Sequence, residues 1–389
     1  MLDVADNCKS NNPTAPVIGL SFFAVASGFL MSLIPLSLGN FGLSPDLAPW
    51  LASIFYLGLL LGALRVERLI TKMGHRRAFV LFLTLLIASI VAMLLLPHPG
   101  IWLGARLLAG FAVAGVFVVV ESWLLMANSV KARARRLGIY MAALYGGSAL
   151  GQLAIGELGT QGVLPYLFVI VLLMMAILAP ALIRSGEPAH QAQQRLSFAE
   201  SASLSRPAII GCLVSGLLLG PIYGLMPVYI DNQVDEPTQT GLLMAAIILG
   251  GMAVQPLISY LSPRMDKRLL MAMCTLVGLV GVVGAIETSA LQLKAVSYFI
   301  LGAASFALYP IAISLACDRL PSTKIVSATE VMLLCYSLGS VAGPLLALNL
   351  SEKRHGMMLY LAICLLSTCL YMLLKSVQRL DGQTDSLQS

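Results

Sequence analysis

Residues 117–123 read FVVVESW, an apolar run that is interrupted by one carboxylate, Glu121. No other charged residue lies between Arg106 and Lys131. Apolar runs of about 20 residues recur along the chain, and this is the length that spans a bilayer. The stretch therefore indicates a membrane-spanning helix, and it raises the question of what an acid does inside one.

The composition also indicates a membrane protein. Of the 389 residues, 58% are hydrophobic and only 11% are charged, and the mean hydropathy is +0.89. A soluble domain has about 25% charged residues, so this chain has too few to cover a surface that faces water. The net charge of +6 lies in short clusters between the apolar runs. We therefore interpret it as a topology signal and expect no nucleic-acid partner.

Twelve apolar runs, bounded by turn residues or charges, predict an all-α membrane protein with twelve transmembrane helices. The first run begins near Ala15, and because eleven more follow it we expect a membrane helix and not a cleaved signal peptide. The predicted helices are 15–38, 48–66, 78–96, 101–126, 137–158, 166–183, 208–230, 240–261, 269–286, 295–316, 326–348 and 357–375.

The lysine and arginine residues predict which side of the membrane each connection faces. Of the 24, 20 lie in the tails or in connections that follow even-numbered helices, and three lie in connections that follow odd-numbered helices. The last one, Arg106, lies inside predicted helix 4. Because positive charge accumulates in cytoplasmic loops, we expect both termini to be cytoplasmic.

The chain repeats itself at one constant offset of 192 residues. The offset places glycine on glycine at several positions, among them Gly28 and Gly220, Gly58 and Gly250, Gly110 and Gly302, Gly147 and Gly339, and Gly151 and Gly343. A repeat of six helices predicts two pseudo-symmetric halves in the same orientation, with a substrate site between them, as in known transporters. We expect an N-terminal half over 1–183, a cytoplasmic linker over 184–207, a C-terminal half over 208–375 and a cytoplasmic tail over 376–389.

These features resemble the major facilitator superfamily over almost the whole chain. The loop after predicted helix 2 reads ERLITKMGHRR, and it keeps the Lys72, Gly74, Arg76 and Arg77 characters of a family motif that acts in gating. Thr71 stands where the family motif has an acid.

The family's helix 4 motif, an arginine followed by a glycine, is present as RLLAG, Arg106 to Gly110. The helix 5 motif of its antiporters is degraded, because Gln152 follows Gly151 in place of proline. The stretches VVVES, YGLMP and LYPIA look like the YcaD-type branch of bacterial transporters.

The resemblance implies the major facilitator fold and a bacterial inner-membrane carrier that moves a small solute by alternating access. It also implies a role for Arg106 in proton coupling. No nucleotide-binding motif is present in the sequence, so an ion gradient or the solute's own gradient has to drive transport, and protons are one candidate.

Glu121 shares a helical face with Gly110 and Phe117. A charge that faced lipid would cost about 2.5 kcal/mol or more, so this face should turn toward protein or a water-filled cavity. The helix C-terminus also disfavours an anion, and a cation has to offset both costs. The nearest candidates are the arginines of the helix 2–3 loop and Arg133 to Arg136. Three interpretations stay open: a gate latch, a static ion pair, and a substrate or proton site.

Other polar residues inside the predicted helices are further candidates. Arg106 has Glu157 as a candidate partner near the end of predicted helix 5. Glu330 lies in the first turns of predicted helix 11, where the dipole favours an anion, and it is either a second latch or an ordinary N-terminal acid. Five residues are candidates for a substrate cavity or for interhelical hydrogen bonds: Gln152, Tyr223, Gln255, Tyr309 and Tyr336.

The sequence shows no catalytic triad, phosphate loop or cluster of metal ligands, so we expect no enzyme activity, cofactor or metal. The seven cysteines have no paired spacing and predict no disulfide framework. We expect a monomeric carrier in the lipid bilayer with a small-molecule substrate. The alternative is a membrane-embedded sensor or scaffold with a transporter-like fold, and a membrane enzyme is a third, weaker reading.

Overall fold

The computed structural model describes residues 14–125, 130–182, 205–318, 325–350 and 355–388. Within this part of the chain every element is helical, which confirms the predicted all-α class. The elements are α1 (Thr14–Ser37), a 3-10 helix (Leu38–Phe41), α2 (Leu47–Met73), α3 (His75–Leu95), α4 (Pro99–Leu125), α5 (Val130–Leu158), α6 (Leu164–Leu182), α7 (Arg206–Gly224), α8 (Met226–Asp231), α9 (Pro237–Leu261), α10 (Lys267–Glu287), α11 (Leu291–Cys317), α12 (Ile325–Leu348) and α13 (Gly356–Gln388).

Ten helices of the described residues are long and apolar enough to cross a membrane. α6 contains a shorter apolar stretch, Leu164–Ala179. α5 is less apolar than its neighbours, because four basic residues lie in its first two turns and Gly147, Ser148 and Gln152 lie in its middle. The membrane class is therefore confirmed, whereas the exact count of twelve spans is not.

Predicted helix 7, 208–230, is two helices in the structure. α7 ends at Gly224 and α8 begins at Met226, with Leu225 between them. Pro227 explains the break, because proline has no amide hydrogen and its ring crowds the carbonyl group four residues earlier.

Three helices extend furthest beyond the predicted bounds, because a hydropathy pattern ends at the first polar residues whereas the helix continues through them. α2 continues past 66 to Met73, α5 begins at Val130 and not at 137, and α13 continues past 375 to Gln388. The predicted linker, 184–207, lies outside the described residues except for 205–207, where α7 already begins.

The chain divides into two compact units, Met1–Gln193 and Gln194–Ser389. In the first unit, α1 packs on α5 and α6, α2 packs on α4, and α3 packs on α4 and α6. In the second unit, α7 packs on α12 and α13, α9 packs on α11, and α10 packs on α11 and α13. Each helix pair of the first unit therefore has a counterpart in the second, as the sequence repeat predicts.

Glycines make the closest helix approaches, and they do so at equivalent places in both units. A Cβ atom added at these positions would collide with the backbone of the facing helix: Gly28 with Ser148 and Gly220 with Ser340, and Gly110 with Phe55 and Gly302 with Ile247. Each glycine and the residue it faces are shifted by the same 192 residues. Small residues permit this approach in membranes, so the repeat in the sequence is a repeat of packing.

We predict that Gly110→Ala lowers the melting temperature of the purified protein, whereas Gly104→Ala on the same helix does not. A Cβ atom at Gly110 would overlap the carbonyl oxygen of Phe55 and the amide nitrogen of Leu59, while nothing lies within 4 Å of one at Gly104. Overpacking of this kind costs about 1–3 kcal/mol. Thermal denaturation in detergent measures both variants, and equal melting temperatures would contradict this packing.

Candidate functional site

α4 carries the two charged residues that interrupt its apolar sequence, Arg106 and Glu121. They are separated by 15 residues, which is about 22 Å along a helix. The equivalent positions of the second unit, 192 residues later, hold Tyr298 and Ile313. The equivalent helix of the second unit, α11, is therefore present but has uncharged residues at both positions.

The carboxylate of Glu121 accepts a hydrogen bond from the Tyr140 hydroxyl group of α5, with an O···O distance of 2.8 Å. Tyr140 is buried, whereas Glu121 is exposed. Among the residues that the structure describes, no lysine or arginine forms an ion pair with Glu121. The side chain of Arg133, one expected partner, lies outside that description. The latch between Glu121 and the arginines of the α2–α3 loop stays a prediction.

The loop motif between α2 and α3 is built around Gly74. This residue has a φ of 82° and a ψ of 160°, which favours glycine, and it joins the two helices directly. The basic side chains of the motif are exposed or half-buried: Lys72, Arg76 and Arg77. The buried His75 ring lies 6.3 Å from the Trp123 ring, centroid to centroid. This contact holds the start of α3 beside the last turns of α4, close to Glu121 in sequence.

The equivalent loop of the second unit is held by charge. Asp266, which stands at the position of Gly74, caps α10 by accepting a hydrogen bond from the amide of Arg268 at 2.8 Å. Lys267 forms an ion pair with Asp318, just after α11. This ion pair was not predicted from the sequence, because its two members lie in different connections between helices.

Arg106 does not pair with Glu157 in the structure. Its guanidinium carbon lies 4.2 Å from the centroid of the Phe55 ring on α2, and its Nε atom is buried without a hydrogen-bond partner among the described residues. The spacing of the RLLAG motif explains this position. Gly110, one turn further on, brings α4 against the backbone of Phe55, and Arg106 then lies over the ring.

Gln152 is fully buried and binds α1 through both ends of its amide group. Its Oε1 accepts a hydrogen bond from Ser32 Oγ at 2.6 Å, and its Nε2 donates one to the carbonyl oxygen of Gly28 at 2.5 Å. Of the two interpretations that the sequence left open for Gln152, this geometry favours the interhelical hydrogen bond.

The structure brings three of the candidate cavity residues together with one that the sequence analysis missed, Phe306. The ring centroids of Tyr309 and Tyr336 are 5.0 Å apart, and those of Tyr223 and Phe306 are 5.8 Å apart. Phe306 and Tyr309 lie one turn apart on α11 and connect the two pairs. The i, i+3 spacing of these two aromatic residues was the sequence signal that could have found Phe306.

The remaining candidates are Gln255, from the predicted cavity, and Glu330, from the predicted gate. Gln255 is half-buried, and its Nε2 donates to the carbonyl oxygen of Gly251 in its own helix at 3.1 Å. Glu330 is exposed in the first turns of α12, and it forms no ion pair within the described part of the chain.

Two units of matching helices, with ten helices of the described residues suited to cross a membrane and two charged side chains inside α4, are typical of membrane transporters built from repeats. Residues 17–344 match the family model of the Major Facilitator Superfamily. The chain belongs to this family.

Relatives in the family cover most of the chain. An uncharacterized MFS-type transporter of Enterobacter sp. (strain 638) is 32% identical over 353 residues, which are 89% of this chain and 90% of the relative. The uncharacterized MFS-type transporter YcaD of Escherichia fergusonii is 30% identical over 374 residues, which are 94% of this chain and 97% of the relative. The resemblance to the YcaD-type branch is confirmed.

Solved transporter structures share the fold. The nucleoside transporter NupG is 12% identical with a TM-score of 0.78, and the match covers 93% of this chain and 99% of that one. The fucose:proton symporter FucP of E. coli is 14% identical with a TM-score of 0.59, and the match covers 92% of this chain and 97% of that one. At this level of identity the likeness shows the fold alone.

We predict that Gln152→Leu lowers stability by about 1–3 kcal/mol, because it leaves buried polar groups of α1 without their partners. The control is Gln255→Leu, which removes an amide that is half-buried and bonded only within its own helix. Thermal denaturation of both variants in detergent checks the difference. A Gln152→Leu protein as stable as the control would restore the cavity interpretation of Gln152.

Proposed function

We propose that the protein is a secondary active transporter that moves a small solute by alternating access between its two units. The observation that carries the proposal is the recurrence of the same interhelical glycine contacts at one constant offset, which makes two units of one architecture. Transporters built from such repeats alternate largely by rocking one repeat against the other. Membership of a transporter family supports the same conclusion.

Rocking requires units that stay rigid, and the packing inside each unit supports this. In the first unit, Gln152 and Gly28 hold α5 to α1. In the second unit, the hydroxyl group of Tyr360 on α13 donates to the carbonyl oxygen of Leu217 on α7 at 3.0 Å. Close-packed interiors have low compressibility, so these contacts favour units that move as rigid bodies.

The distribution of basic residues supports a place in the bacterial inner membrane with both termini in the cytoplasm. Of the 24 lysine and arginine residues, 20 lie in the tails or in the connections that this orientation makes cytoplasmic.

Protons are the coupling ion that we propose. Acids inside transmembrane helices mark proton or ion pathways in many carriers, and α4 contains such an acid, Glu121, whose partner is a hydroxyl group and not a cation. A structural neighbour of the same fold is a fucose:proton symporter.

We predict that energised membrane vesicles containing the protein accumulate or lose at least one small solute, and that a protonophore abolishes the difference. Vesicles are loaded with a mixture of metabolites, and mass spectrometry compares their contents with those of vesicles that lack the protein. Identical contents under all conditions would make the chain a membrane-embedded sensor or scaffold. A difference that survives the protonophore would remove protons as the coupling ion.

Glu121 changes partners in the proposed cycle. Its carboxylate is bonded to Tyr140 in the structure, and we propose that Arg76 or Arg77 binds it when the carrier is closed to the cytoplasm. The contact between His75 and Trp123 supports this, because it holds the loop of these arginines beside the end of α4.

We predict that Glu121→Gln shifts the carrier toward its inward-open state and leaves the fold intact. The amide keeps the shape and still accepts the hydrogen bond from Tyr140, but it loses the attraction to a guanidinium group. An interaction of about 1–2 kcal/mol would shift the equilibrium about 5- to 30-fold. Distances between labels at the cytoplasmic ends of α4 and α11 report the shift.

Tyr140→Phe is the matched control, because it removes the competing partner of Glu121 and should move the same distances in the opposite direction. Unchanged distances in Glu121→Gln together with normal transport would make Glu121 a static residue.

A further inference from the structure

We propose that the transported solute is a small organic oxyanion, and that its carboxylate or an equivalent group binds the guanidinium group of Arg106. This inference rests on the proposed transport function and names the substrate class of that transporter.

No acidic side chain among the described residues forms an ion pair with Arg106. The residue lies within an apolar span, Pro99–Trp123, where an ionised side chain is costly and is a functional candidate by default. Its side chain is half-buried, and its Nε atom is buried without an acceptor in the described part of the chain. A charge that no described acid balances is complementary to a solute of the opposite charge.

The contact with Phe55 leaves the binding edge of the guanidinium group unused. The ring faces the guanidinium at 4.2 Å, and a ring face attracts a cation. The five N–H donors of the guanidinium group point outward in its plane, so the ring that stacks on the face accepts no hydrogen bond from them. Those donors match the two oxygen atoms of a carboxylate in a bidentate pair. The stacking thus fixes the orientation of the group and keeps its donors available.

The side chains around Arg106 suit an oxyanion with an apolar body. Tyr56 and Tyr166 lie close enough to Arg106 to interact with it electrostatically. The hydroxyl groups of the buried Tyr166 and Ser37 are 2.6 Å apart and bond to each other. Aromatic side chains around a single cation are typical of small-molecule sites, in which a few polar groups fix the orientation of the ligand.

The repeat shows that packing does not require the arginine. Gly302 keeps the close helix approach in the second unit, where Tyr298 stands at the position of Arg106 and Ile247 at that of Phe55. Tyr298 is buried, with 2% of its surface exposed. An uncharged residue, Tyr298, is thus compatible with the same helix packing in the second unit. We therefore infer that the charge of Arg106 has a role other than packing α4 on α2.

The experiment measures the binding of matched probes to the purified full-length protein by thermal shift and calorimetry. Each probe is a carboxylate, from acetate to benzoate and citrate, and each has its neutral amide as a partner of nearly the same shape. We expect at least one carboxylate to raise the melting temperature and its amide to have no effect. Stabilisation by amides to the same extent, or by no carboxylate at all, would overturn the proposal.

Arg106→Gln tests the residue itself. We expect the affinity for the stabilising carboxylate to fall at least about 30-fold, as it does when one partner of a buried charge pair is truncated. The ligand-free variant should melt at the same or a higher temperature, because the substitution removes a charge that no acid balances among the described residues. A lower melting temperature with unchanged binding would make Arg106 a structural residue and overturn the proposal.

Arg264→Gln is the matched control. Arg264 also stacks on a ring, 3.8 Å from the centroid of Tyr260, but it is exposed and its Nη1 donates to the carbonyl oxygen of Tyr260 at 2.6 Å. Binding of the carboxylate should not change in this variant. An equal loss in both variants would show that the effect comes from net charge and not from the Arg106 site.

Two further experiments are needed. The first distinguishes a free solute from a lipid headgroup as the bound oxyanion, and the second distinguishes binding at Arg106 from transport. Phosphatidylglycerol added to delipidated protein tests a lipid headgroup, and stabilisation by this lipid alone would overturn the solute proposal. Counterflow of the bound carboxylate in proteoliposomes tests transport. Binding that depends on Arg106 without counterflow would keep the oxyanion site and refute the transporter. Energised transport of neutral solutes only would support the transporter and overturn the oxyanion site.

Discussion

The close approach of two helix backbones at glycine is the contact on which the rest of this structure depends. In a bilayer, no hydrophobic effect drives one apolar helix onto another, so van der Waals packing and interhelical hydrogen bonds have to do so. Gly110 lets α4 reach the backbone of Phe55, and this approach fixes where Arg106 and, three turns further on, Glu121 point. Gly28 does the same for α1 and α5, and it exposes a carbonyl group that Gln152 can bind. Glycines, which allow the helix backbones to touch, therefore determine where Arg106, Glu121 and Gln152 lie.

The two units use the same packing and different chemistry. The glycine pairs recur at the offset of 192 residues, but Arg106 is replaced by Tyr298 and Glu121 by Ile313. Packing constrains both copies at these positions, because Gly28, Gly110, Gly220 and Gly302 each face the backbone of another helix. The close approach does not require the charges of α4, because the second unit packs in the same way without them. A difference between otherwise equivalent positions is therefore a stronger indication of function here than a charge considered by itself.

Most of the fold was accessible from sequence because bilayers impose a length and a polarity on every helix, and because several glycines that pack against backbones recur in both copies. Pro227 was visible too, yet its effect on helix 7 was not anticipated. The partner of Glu121 was inaccessible for another reason. Tyr140 lies on the next helix, and whether its hydroxyl group meets the carboxylate depends on the rotation of α5 about its axis, which hydropathy does not specify. Phe306 looked like one apolar residue among many until α7 placed Tyr223 against it.

The two charges of α4 share one physical condition, although they lie at opposite ends of the helix. Each has a neutral neighbour in the structure, a hydroxyl group for Glu121 and a ring for Arg106, and neither is satisfied by an opposite charge among the described residues. Such a charge is stabilised by whichever partner can reach it, and a state of the carrier that supplies the partner gains that stabilisation. In the proposed cycle one rigid helix, held to α2 by backbone contact, would link the proposed ion pair of Glu121 to the occupancy of the proposed site at Arg106. Coupling of this kind would need no chain of moving side chains between the two sites, because α4 would move as one body.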